Sequence, residues 1–282
     1  MDNDLPGENF LTRDLEDMVL IGDQNISVAV PFYSPLGLKK NIIAAVKAFQ
    51  GRYKSMDYVL KHYGDHWTVQ EPIAREKQLY DALSLVKDEV FELGEHLCSK
   101  HTSSSHLGLF AAEAALIRLQ TSFRTAILLI RQGHVFEALA ICRLIFEQIA
   151  WAYAVHTVDG EIVFKTVPTK TINQLKTIFP NAGRSYGILS EGAHITPELT
   201  STYLDFSAEY VSIRLNDPHS RERMIHTLLV IADMYRVVVE YISRDHINPL
   251  LTWIRSSDGN FILKEQRPLS DTINFFGPKQ SQ

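Results

Sequence analysis

The stretch Val135–His156, VFEALAICRLIFEQIAWAYAVH, decides the fold, because it is apolar on nearly every face of a helix. The stretch before it, Leu107–Arg131, has the same character, and Gln132-Gly133 separates the two. Asp159-Gly160 ends the second stretch. Helices without a polar face lie inside a bundle, wrapped by other helices. The sequence therefore predicts two consecutive central helices in an all-α, multi-helix bundle.

Further helices are predicted on both sides of this central pair from helical spacing of apolar residues and from capping residues. They cover Leu38–His62, Thr68 to beyond Leu97, Lys170–Phe179, Arg184–Ile195, Glu198–Leu215, and Pro218 to Arg244. Minor β-hairpins are predicted near the termini, at Val19–Ile21 with Ile26–Tyr33 and at Thr252–Glu265. The β-branched stretch Glu161–Val167 predicts a strand or an extended linker, and the tail after Pro268 is expected to be loose.

These elements predict three parts of the chain. Residues 1–67 form an N-terminal extension, an irregular segment plus a helix, which packs on the core. Residues 68–246 form the helical-bundle core, and residues 247–282 form a C-terminal hairpin and tail.

Composition excludes several classes of protein. The chain has 282 residues, of which 45% are hydrophobic, and a net charge of -5 at pH 7. The negative charge argues against broad electrostatic capture of nucleic acid. We expect no membrane partner, since no long uncharged apolar run occurs, and no leader peptide in MDNDLPGENF. Cys98 and Cys142 are too few for a disulfide framework, so we expect two reduced, buried thiols in a cytoplasmic protein.

The lysines are distributed unevenly. None occurs between Lys100 and Lys165, although arginine occurs four times there. A surface of ordinary composition contains some lysine, so this stretch is expected to form the interior of the fold or an interface.

The usual catalytic and cofactor-binding signatures are absent from the sequence. It contains no phosphate-binding loop, dinucleotide-binding loop, zincin helix or nucleophile elbow. A loose group of possible metal ligands, His96, Cys98, His101 and His106, is better explained as histidines gathered at a helix C-terminus. We therefore expect no cofactor and no metal.

Arg143 and Glu147 stand out because Leu139–Ala154 is otherwise almost free of charge. Their i,i+4 spacing puts both on one face of a central helix. Burying either charge alone is costly, so we expect the two to pair with each other or with a facing helix. The pair either fixes helix register or belongs to a functional polar pocket.

Tyr186, Ser190 and His194 form a second set, spaced i, i+4 and i+8 along one helix, with Glu191 beside His194. A histidine aligned with a hydroxyl and a carboxylate can transfer protons, and it can equally be a satisfied core histidine. Ser190 is a weak candidate nucleophile, because side chains one turn apart rarely reach attack geometry. We predict that this set meets Arg143 and Glu147 in one polar cluster.

These two motifs carry a resemblance. HVFEALAICRLIFEQIAWAY, at His134–Tyr153, resembles the second helix of HEPN-type helical bundles. It is still more similar to an uncharacterised bacterial family related to them, which combines an Arg-x3-Glu helix with a Tyr-x3-Ser-x3-His helix. The resemblance covers about residues 123–194. It implies an all-α bundle, frequent dimerisation, and membership among bacterial conflict proteins such as toxins and abortive-infection factors.

Many HEPN proteins are ribonucleases with an Arg-x(4–6)-His motif, and this sequence departs from that pattern. The helix that matches best has no arginine before His194 at the required spacing. Arg214/His219 and Arg221/His226 do match, but random placement predicts about as many matches. Arg221 and His226 remain a secondary candidate site, because they open a long helix where a phosphate can approach.

Two classes of function follow. The favoured one is a component of a bacterial defence or toxin-like system that acts mainly through protein–protein interaction or oligomerisation, as a homodimer or with a protein partner. The alternative is an RNA- or nucleotide-directed enzyme in which His194 is the acid/base and Arg143 contacts phosphate. The enzyme requires Arg143 and His194 to be open to solvent, and the interaction protein requires them to be sealed.

Overall fold

The computed structural model describes residues 18–23, 26–64, 74–99, 106–194, 204–206, 211–213 and 220–277. The chain divides into two compact units, residues 1–78 and residues 79–282.

The first unit begins with a β-hairpin. Strand β1 (Met18–Asp23) pairs antiparallel with β2 (Ile26–Pro31), with Met18 opposite Pro31. This confirms the predicted N-terminal hairpin. Two helices follow, α1 (Leu36–Gln50) and α2 (Met56–Tyr63).

The prediction of one helix over Leu38–His62 is wrong, because the chain leaves the helix at Gly51. Arg52 then takes a left-handed φ of 51°, which a continuing right-handed helix does not allow. Ser55 starts α2 by accepting a hydrogen bond from the N–H of Tyr58 at 3.2 Å.

The second unit is a helical bundle. Its helices and strands follow in this order: most of α3 (Ala74–Ser99), α4 (Leu107–Gln132), α5 (Val135–Val155), α6 (Ile162–Lys165), α7 (Pro168–Leu175), α8 (Ala182–Gly192), β3 (Leu204–Phe206), β4 (Val211–Ile213), α9 (Arg221–Ile242), β5 (Trp253–Arg255), β6 (Phe261–Leu263) and α10 (Ser270–Phe276). The predicted all-α bundle is confirmed. The predicted start of α3 near Thr68 lies outside the described residues, as does the predicted cap before Pro218.

The core of the bundle forms around α5, which packs against α4, α7, α8 and α9. Phe123 on α4 and Phe146 on α5 are fully buried there. Among the described helices, α5 alone is long and apolar enough to cross a membrane. Core helices of soluble proteins meet the same criteria of length and hydropathy. Helix α5 packs against four other helices, as a core helix does.

Helix α9 is as central as the predicted pair. Nearly every residue from Met224 to Ile242 is buried, and Tyr235 donates a hydrogen bond to the carbonyl of Leu116 on α4 at 3.1 Å. Three charged side chains, Asp233, Arg236 and Glu240, are buried along the same helix. The interior of the bundle therefore holds charge as well as apolar side chains.

The prediction of a helix over Glu198–Leu215 is wrong in its described parts, because β3 and β4 pair there as an antiparallel hairpin. The sequence explains the difference. Leu204 and Phe206 flank Asp205, and Val211 and Ile213 flank Ser212, so apolar residues recur with the period of a strand.

Two further expectations are corrected in the second unit. The stretch Glu161–Val167 contains the helical turn α6, and only Thr166 and Val167 after it are extended. The tail after Pro268 contains α10, whose Phe276 is buried and which packs on α9. The predicted C-terminal hairpin is confirmed as β5 paired with β6.

The two cysteines differ in exposure. Cys142 is buried, as expected, and burial raises the pKa of its thiol to about 12. Cys98 is exposed near the end of α3, so the expectation that both thiols are buried is wrong for Cys98.

Candidate functional site

Arg143 and Glu147 pair as their spacing predicts. Nε of Arg143 donates a hydrogen bond to Oε1 of Glu147 at 3.0 Å. Their side chains are 23% and 20% exposed, so the pair lies at the edge of the core rather than sealed inside it. An ion pair in this position keeps part of its hydration, which lowers the free-energy cost of placing charge on an apolar helix.

Tyr186 joins α8 to this pair. Its hydroxyl donates to Oε1 of Glu147 at 2.7 Å and accepts from Nη2 of Arg143 at 3.1 Å. Its ring lies under the guanidinium at 5.5 Å and contacts the ring of Phe146 at 6.1 Å between centroids. The three side chains thus form a closed set of hydrogen bonds between α5 and α8.

His194 completes the cluster from outside the helix. Helix α8 ends at Gly192, two residues before the predicted stripe reaches His194. The exposed imidazole has its Nε2 2.7 Å from Nη1 of Arg143. Because a guanidinium has only donors, Nε2 accepts this bond and Nδ1 carries the ring proton.

The end of α8, which precedes His194, packs closely against α5 at Gly192. A Cβ atom at Gly192 would lie 2.7 Å from Cδ1 of Leu139, one turn before Arg143 on α5. A larger residue at this position would require the tip of the flexible Leu139 side chain to move aside.

The pKa shifts in the cluster follow from these contacts. Burial raises the pKa of the Tyr186 hydroxyl, and its hydrogen bond to Glu147 raises it further, against the opposing effect of Arg143. Burial works against the charge of Arg143, but hydrogen bonds to Tyr186 and Glu147 outweigh it and raise its pKa. Arg143 therefore remains a cation and Tyr186 a hydrogen-bond donor at neutral pH.

Ser190 and Glu191 lie outside the hydrogen-bonded set. Ser190 is half-buried, and its hydroxyl has no hydrogen bond among the described residues. Glu191 is exposed, and its carbonyl accepts from the N–H of His194 at 3.3 Å. The structure thus brings together Arg143, Glu147, Tyr186 and His194, and it leaves Ser190 beside them.

The secondary candidates, Arg221 and His226, are not joined. No hydrogen bond links them within the described chain, and the Nε atom of Arg221 is buried without a hydrogen-bond partner there. Burial lowers the pKa of His226, whose Nε2 lies 3.6 Å from the Cβ position of Gly277 after α10. A catalytic role for this pair stays a prediction.

Sequence reasoning missed a second polar network, which is more deeply buried. Arg236 on α9 forms ion pairs with Glu89 on α3 and with Glu240 one turn along α9. Oε2 of Glu240 also accepts from the N–H of Thr252 at 2.8 Å and from its hydroxyl at 2.6 Å. The signal was available, since Arg236 and Glu240 repeat the Arg-x3-Glu spacing on an apolar helix.

A second ion pair on the same helix holds the C-terminal segment. Arg267 makes a bidentate contact with the buried carboxylate of Asp233, with its Nη2 2.7 Å from Oδ2. Such a fork fixes both partners in orientation. This contact explains why the segment that precedes α10 is ordered rather than loose.

The described residues contain no group of three or more His, Cys, Asp and Glu side chains placed to hold a metal ion. Of the loose ligand group, His101 lies outside the described residues, and Nδ1 of His106 accepts from the N–H of Leu109 at 3.2 Å. His106 is thus the N-cap of α4.

The chain matches no protein-family model, no curated protein and no solved structure. Its function must therefore be argued from the geometry of its own residues. The Arg143 cluster, defined as Arg143, Glu147, Tyr186 and His194, offers a fixed cation beside an exposed neutral imidazole.

Proposed function

We propose that the Arg143 cluster is the active site of an enzyme that acts on RNA or a nucleotide, with His194 as acid/base and Arg143 as the phosphate contact. The observation that carries the proposal is the 2.7 Å contact between Arg143 and the exposed His194. A pair that only fixes helix register has no need of an exposed histidine. An acid/base, in contrast, must reach substrate.

Arg143 is suited to bind phosphate in a fixed orientation. Three of its five N–H groups are held by Glu147, Tyr186 and His194. The others are available to a phosphate oxygen, and the arginine fork matches phosphate geometry. Glu147 and Tyr186 act as positioning residues, because they hold the guanidinium without reaching a substrate themselves.

His194 would act once a phosphate oxygen takes its place on Nη1 of Arg143, while Glu147 and Tyr186 keep the guanidinium in position. The exposed imidazole moves away from that N–H, and the lone pair of Nε2 becomes free. In an RNA substrate Nε2 takes the proton of a 2′-hydroxyl, whose oxygen bonds to phosphorus as the bond to the 5′-oxygen breaks. The leaving 5′-oxygen takes a proton from water. General base catalysis of this kind contributes about 10²- to 10⁴-fold to rate.

The test compares His194→Gln and Arg143→Lys with the wild-type chain on a fluorescently labelled RNA and on nucleotides. We expect His194→Gln to lower kcat about 10²-fold or more with an unchanged melting temperature. Arg143→Lys keeps the charge but loses the fork, so KM should rise as well. Growth of a bacterial host that expresses each form gives a second readout.

His134→Gln is the control. His134 precedes α5, the helix that carries Arg143, and its side chain makes no capping hydrogen bond. It should change neither turnover nor growth. The proposal is wrong if the wild-type chain turns over neither RNA nor nucleotide, or if His194→Gln retains full turnover.

A second candidate rests on exposed apolar side chains on the two helices that hold the cluster. Leu144 on α5 follows Arg143 and is 40% exposed, and Ile188 on α8 lies two residues after Tyr186 and is 60% exposed. Exposed apolar groups of this size are typical of interfaces. They support a homodimer or a protein partner, which is how the chain would work in the alternative of a cytoplasmic, HEPN-like component of a defence or toxin-like system.

Light scattering tests the second candidate. If these side chains lie in a homodimer interface, Leu144→Asp and Ile188→Asp should each shift the purified chain from dimer to monomer without lowering its melting temperature. Ile254→Asp is the control, since Ile254 is similarly exposed, at 52%, on the C-terminal hairpin. A wild-type chain that is monomeric at high concentration contradicts the homodimer.

A further inference from the structure

Three helix ends meet on α5 away from the Arg143 cluster. His106 precedes α4, His156 follows α5, and Arg244 follows α9. A Cβ atom on Gly108 would lie 2.0 Å from the carbonyl oxygen of Val158, so the start of α4 touches the chain just after α5. The 13 residues from Arg143 to His156 correspond to about 20 Å along a helix. This group, the His156 cluster, is therefore a separate site.

Only one ring nitrogen of His156, Nδ1, makes a hydrogen bond within the described residues. Its Nδ1 lies 2.6 Å from the carbonyl oxygen of Tyr153, so Nδ1 carries the proton and donates. The ring stacks on Tyr153 at 5.6 Å and meets the edge of Tyr241 at 5.7 Å. Nε2 has no hydrogen-bond partner in the described part of the chain, although the ring is half-buried.

Arg244 and His156 share one aromatic neighbour, Tyr241. Its Nη1 donates to the carbonyl of Tyr241 at 2.7 Å, and its guanidinium lies 4.9 Å from the Tyr241 ring and 5.5 Å from the Phe261 ring. No carboxylate of the described residues pairs with it. Most of its N–H groups therefore remain available.

Arg244 is the cation that acts on the His156 ring. Burial lowers the pKa of His156, the hydrogen bond to Tyr153 opposes this, and repulsion from Arg244 lowers the pKa further. His106 accepts a hydrogen bond at Nδ1 and is neutral in this arrangement, and the Glu113 carboxylate on α4 accepts from Ser243, the residue before Arg244. The first turn of α4 contains no acidic residue, so the positive end of that helix adds to the same potential.

We propose that the His156 cluster binds a phosphate-type dianion, with Arg244 and Nε2 of His156 as its direct contacts. A dianion pairs with the guanidinium and draws a proton onto Nε2, and the resulting imidazolium is then attracted to the dianion as well. Binding and proton uptake are then linked, so affinity rises as pH falls. The site is independent of the Arg143 cluster and of the function proposed for it.

The experiment uses inorganic sulfate as the probe, since sulfate stays a dianion through the range in which histidine titrates. Calorimetry of the wild-type chain at about pH 6 and about pH 8, at constant ionic strength, should give about fivefold tighter binding at the lower pH. Inorganic phosphate and a nucleoside monophosphate, measured in the same way, distinguish a free ion from a phosphate ester.

Two variants and a matched control locate the site. Arg244→Met should weaken sulfate binding about tenfold or more, and His156→Gln should abolish the pH dependence. Arg255→Met is the control, because Arg255 is exposed and its guanidinium lies 5.9 Å from the same Phe261 ring. It changes the net charge equally and should leave affinity within twofold of wild type.

Three results overturn the proposal: no sulfate binding by the wild-type chain, equal affinity at both pH values, or equal losses in Arg244→Met and Arg255→Met. If Arg244→Met fails to fold, an NMR titration of the wild-type His156 ring decides in its place. Sulfate should raise the pKa of that ring, and an unchanged pKa contradicts the site.

Discussion

Nη1 of Arg143 lies 2.7 Å from Nε2 of His194, although the two residues are 51 positions apart in the sequence. The end of α8, just before His194, lies close to α5, where the Cβ position of Gly192 is 2.7 Å from Cδ1 of Leu139. The chain therefore holds a cation and a neutral imidazole together at its surface. Under the proposed function, a substrate phosphate competes for this exposed contact.

The hydroxyl of Tyr186 should contribute measurably to stability. It bonds to two charged side chains, Glu147 at 2.7 Å and Arg143 at 3.1 Å. Tyr186→Phe should lower the free energy of unfolding by about 1–2 kcal/mol, since hydrogen bonds to charged groups exceed those between neutral ones. Urea unfolding measures the loss.

Tyr153→Phe is the comparison for that prediction. The Tyr153 hydroxyl bonds at 3.0 Å to the neutral, exposed hydroxyl of Thr177, so its loss should cost about 0.5 kcal/mol. Equal losses in the two variants would mean that the charged partners of Tyr186 add nothing to stability.

Glu240 should be among the most sensitive charged residues of the bundle. It is fully buried and accepts hydrogen bonds from Arg236 and from both donors of Thr252. Glu240→Gln removes the charge that pairs with the buried Arg236. It also places the NH2 group of the new side chain against N–H or O–H donors of Arg236 or Thr252. We expect a loss of about 3 kcal/mol in the free energy of unfolding, measured in urea.

The control for Glu240 is a carboxylate on the same arginine. Glu92 lies 3.6 Å from Nη2 of Arg236, but its side chain is 72% exposed. Glu92→Gln should change stability by less than about 1 kcal/mol, because water screens exposed pairs. A similar loss in both variants would show that burial does not set the strength of these pairs.

Stability should depend on pH through Glu89. Burial raises the pKa of its carboxyl above the ordinary value of 4.5, and repulsion from Glu92 and Glu240 adds to this against the attraction of Arg236. The folded chain thus binds this proton more tightly than the unfolded chain does. Proton binding at Glu89 therefore increases the stability of the fold as pH falls from neutral toward 4.5, and this gain is complete, and retained, below 4.5.

Comparison with Glu89→Gln isolates this effect, because other groups titrate alike in both chains. The free energy of unfolding of the wild-type chain, minus that of the variant, should be larger at about pH 5 than at about pH 7. A smaller difference at the lower pH would mean that the ion pair with Arg236 outweighs burial.

The Arg143–Glu147 part of the cluster was predictable from sequence, because burying charge is costly. Arg143 and Glu147 interrupt an apolar helix at i,i+4, so they had to find partners. Ser190 was not separable from Tyr186 and His194, because helical spacing places all three on one stripe. The helix ends at Gly192, so His194 reaches Arg143 from beyond α8, whereas Tyr186 reaches it from within the helix.

The fold was predictable where a pattern continued over many residues. The long apolar runs of α4 and α5 predicted both helices to within a residue or so at each end. The short β3–β4 hairpin was missed, because three-residue strands carry too little periodicity to outweigh a helical interpretation. The C-terminal α10 was missed because its order depends on the distant contact between Arg267 and Asp233.

Two glycine-to-alanine substitutions should change stability in opposite directions. At Gly108 in α4, an added Cβ would lie 2.0 Å from the carbonyl oxygen of Val158 and 2.2 Å from that of Val155. Backbone atoms cannot yield as a flexible side chain does, so Gly108→Ala should cost about 2 kcal/mol or more in the free energy of unfolding.

At Gly187, inside α8, the Cβ position has no neighbour within 4 Å. Gly187→Ala should therefore stabilise the chain by about 0.5–1 kcal/mol, since alanine favours the helix. Thermal and urea unfolding of both variants measure the signs, and a stable Gly108→Ala chain would contradict the close approach of α4 to the end of α5.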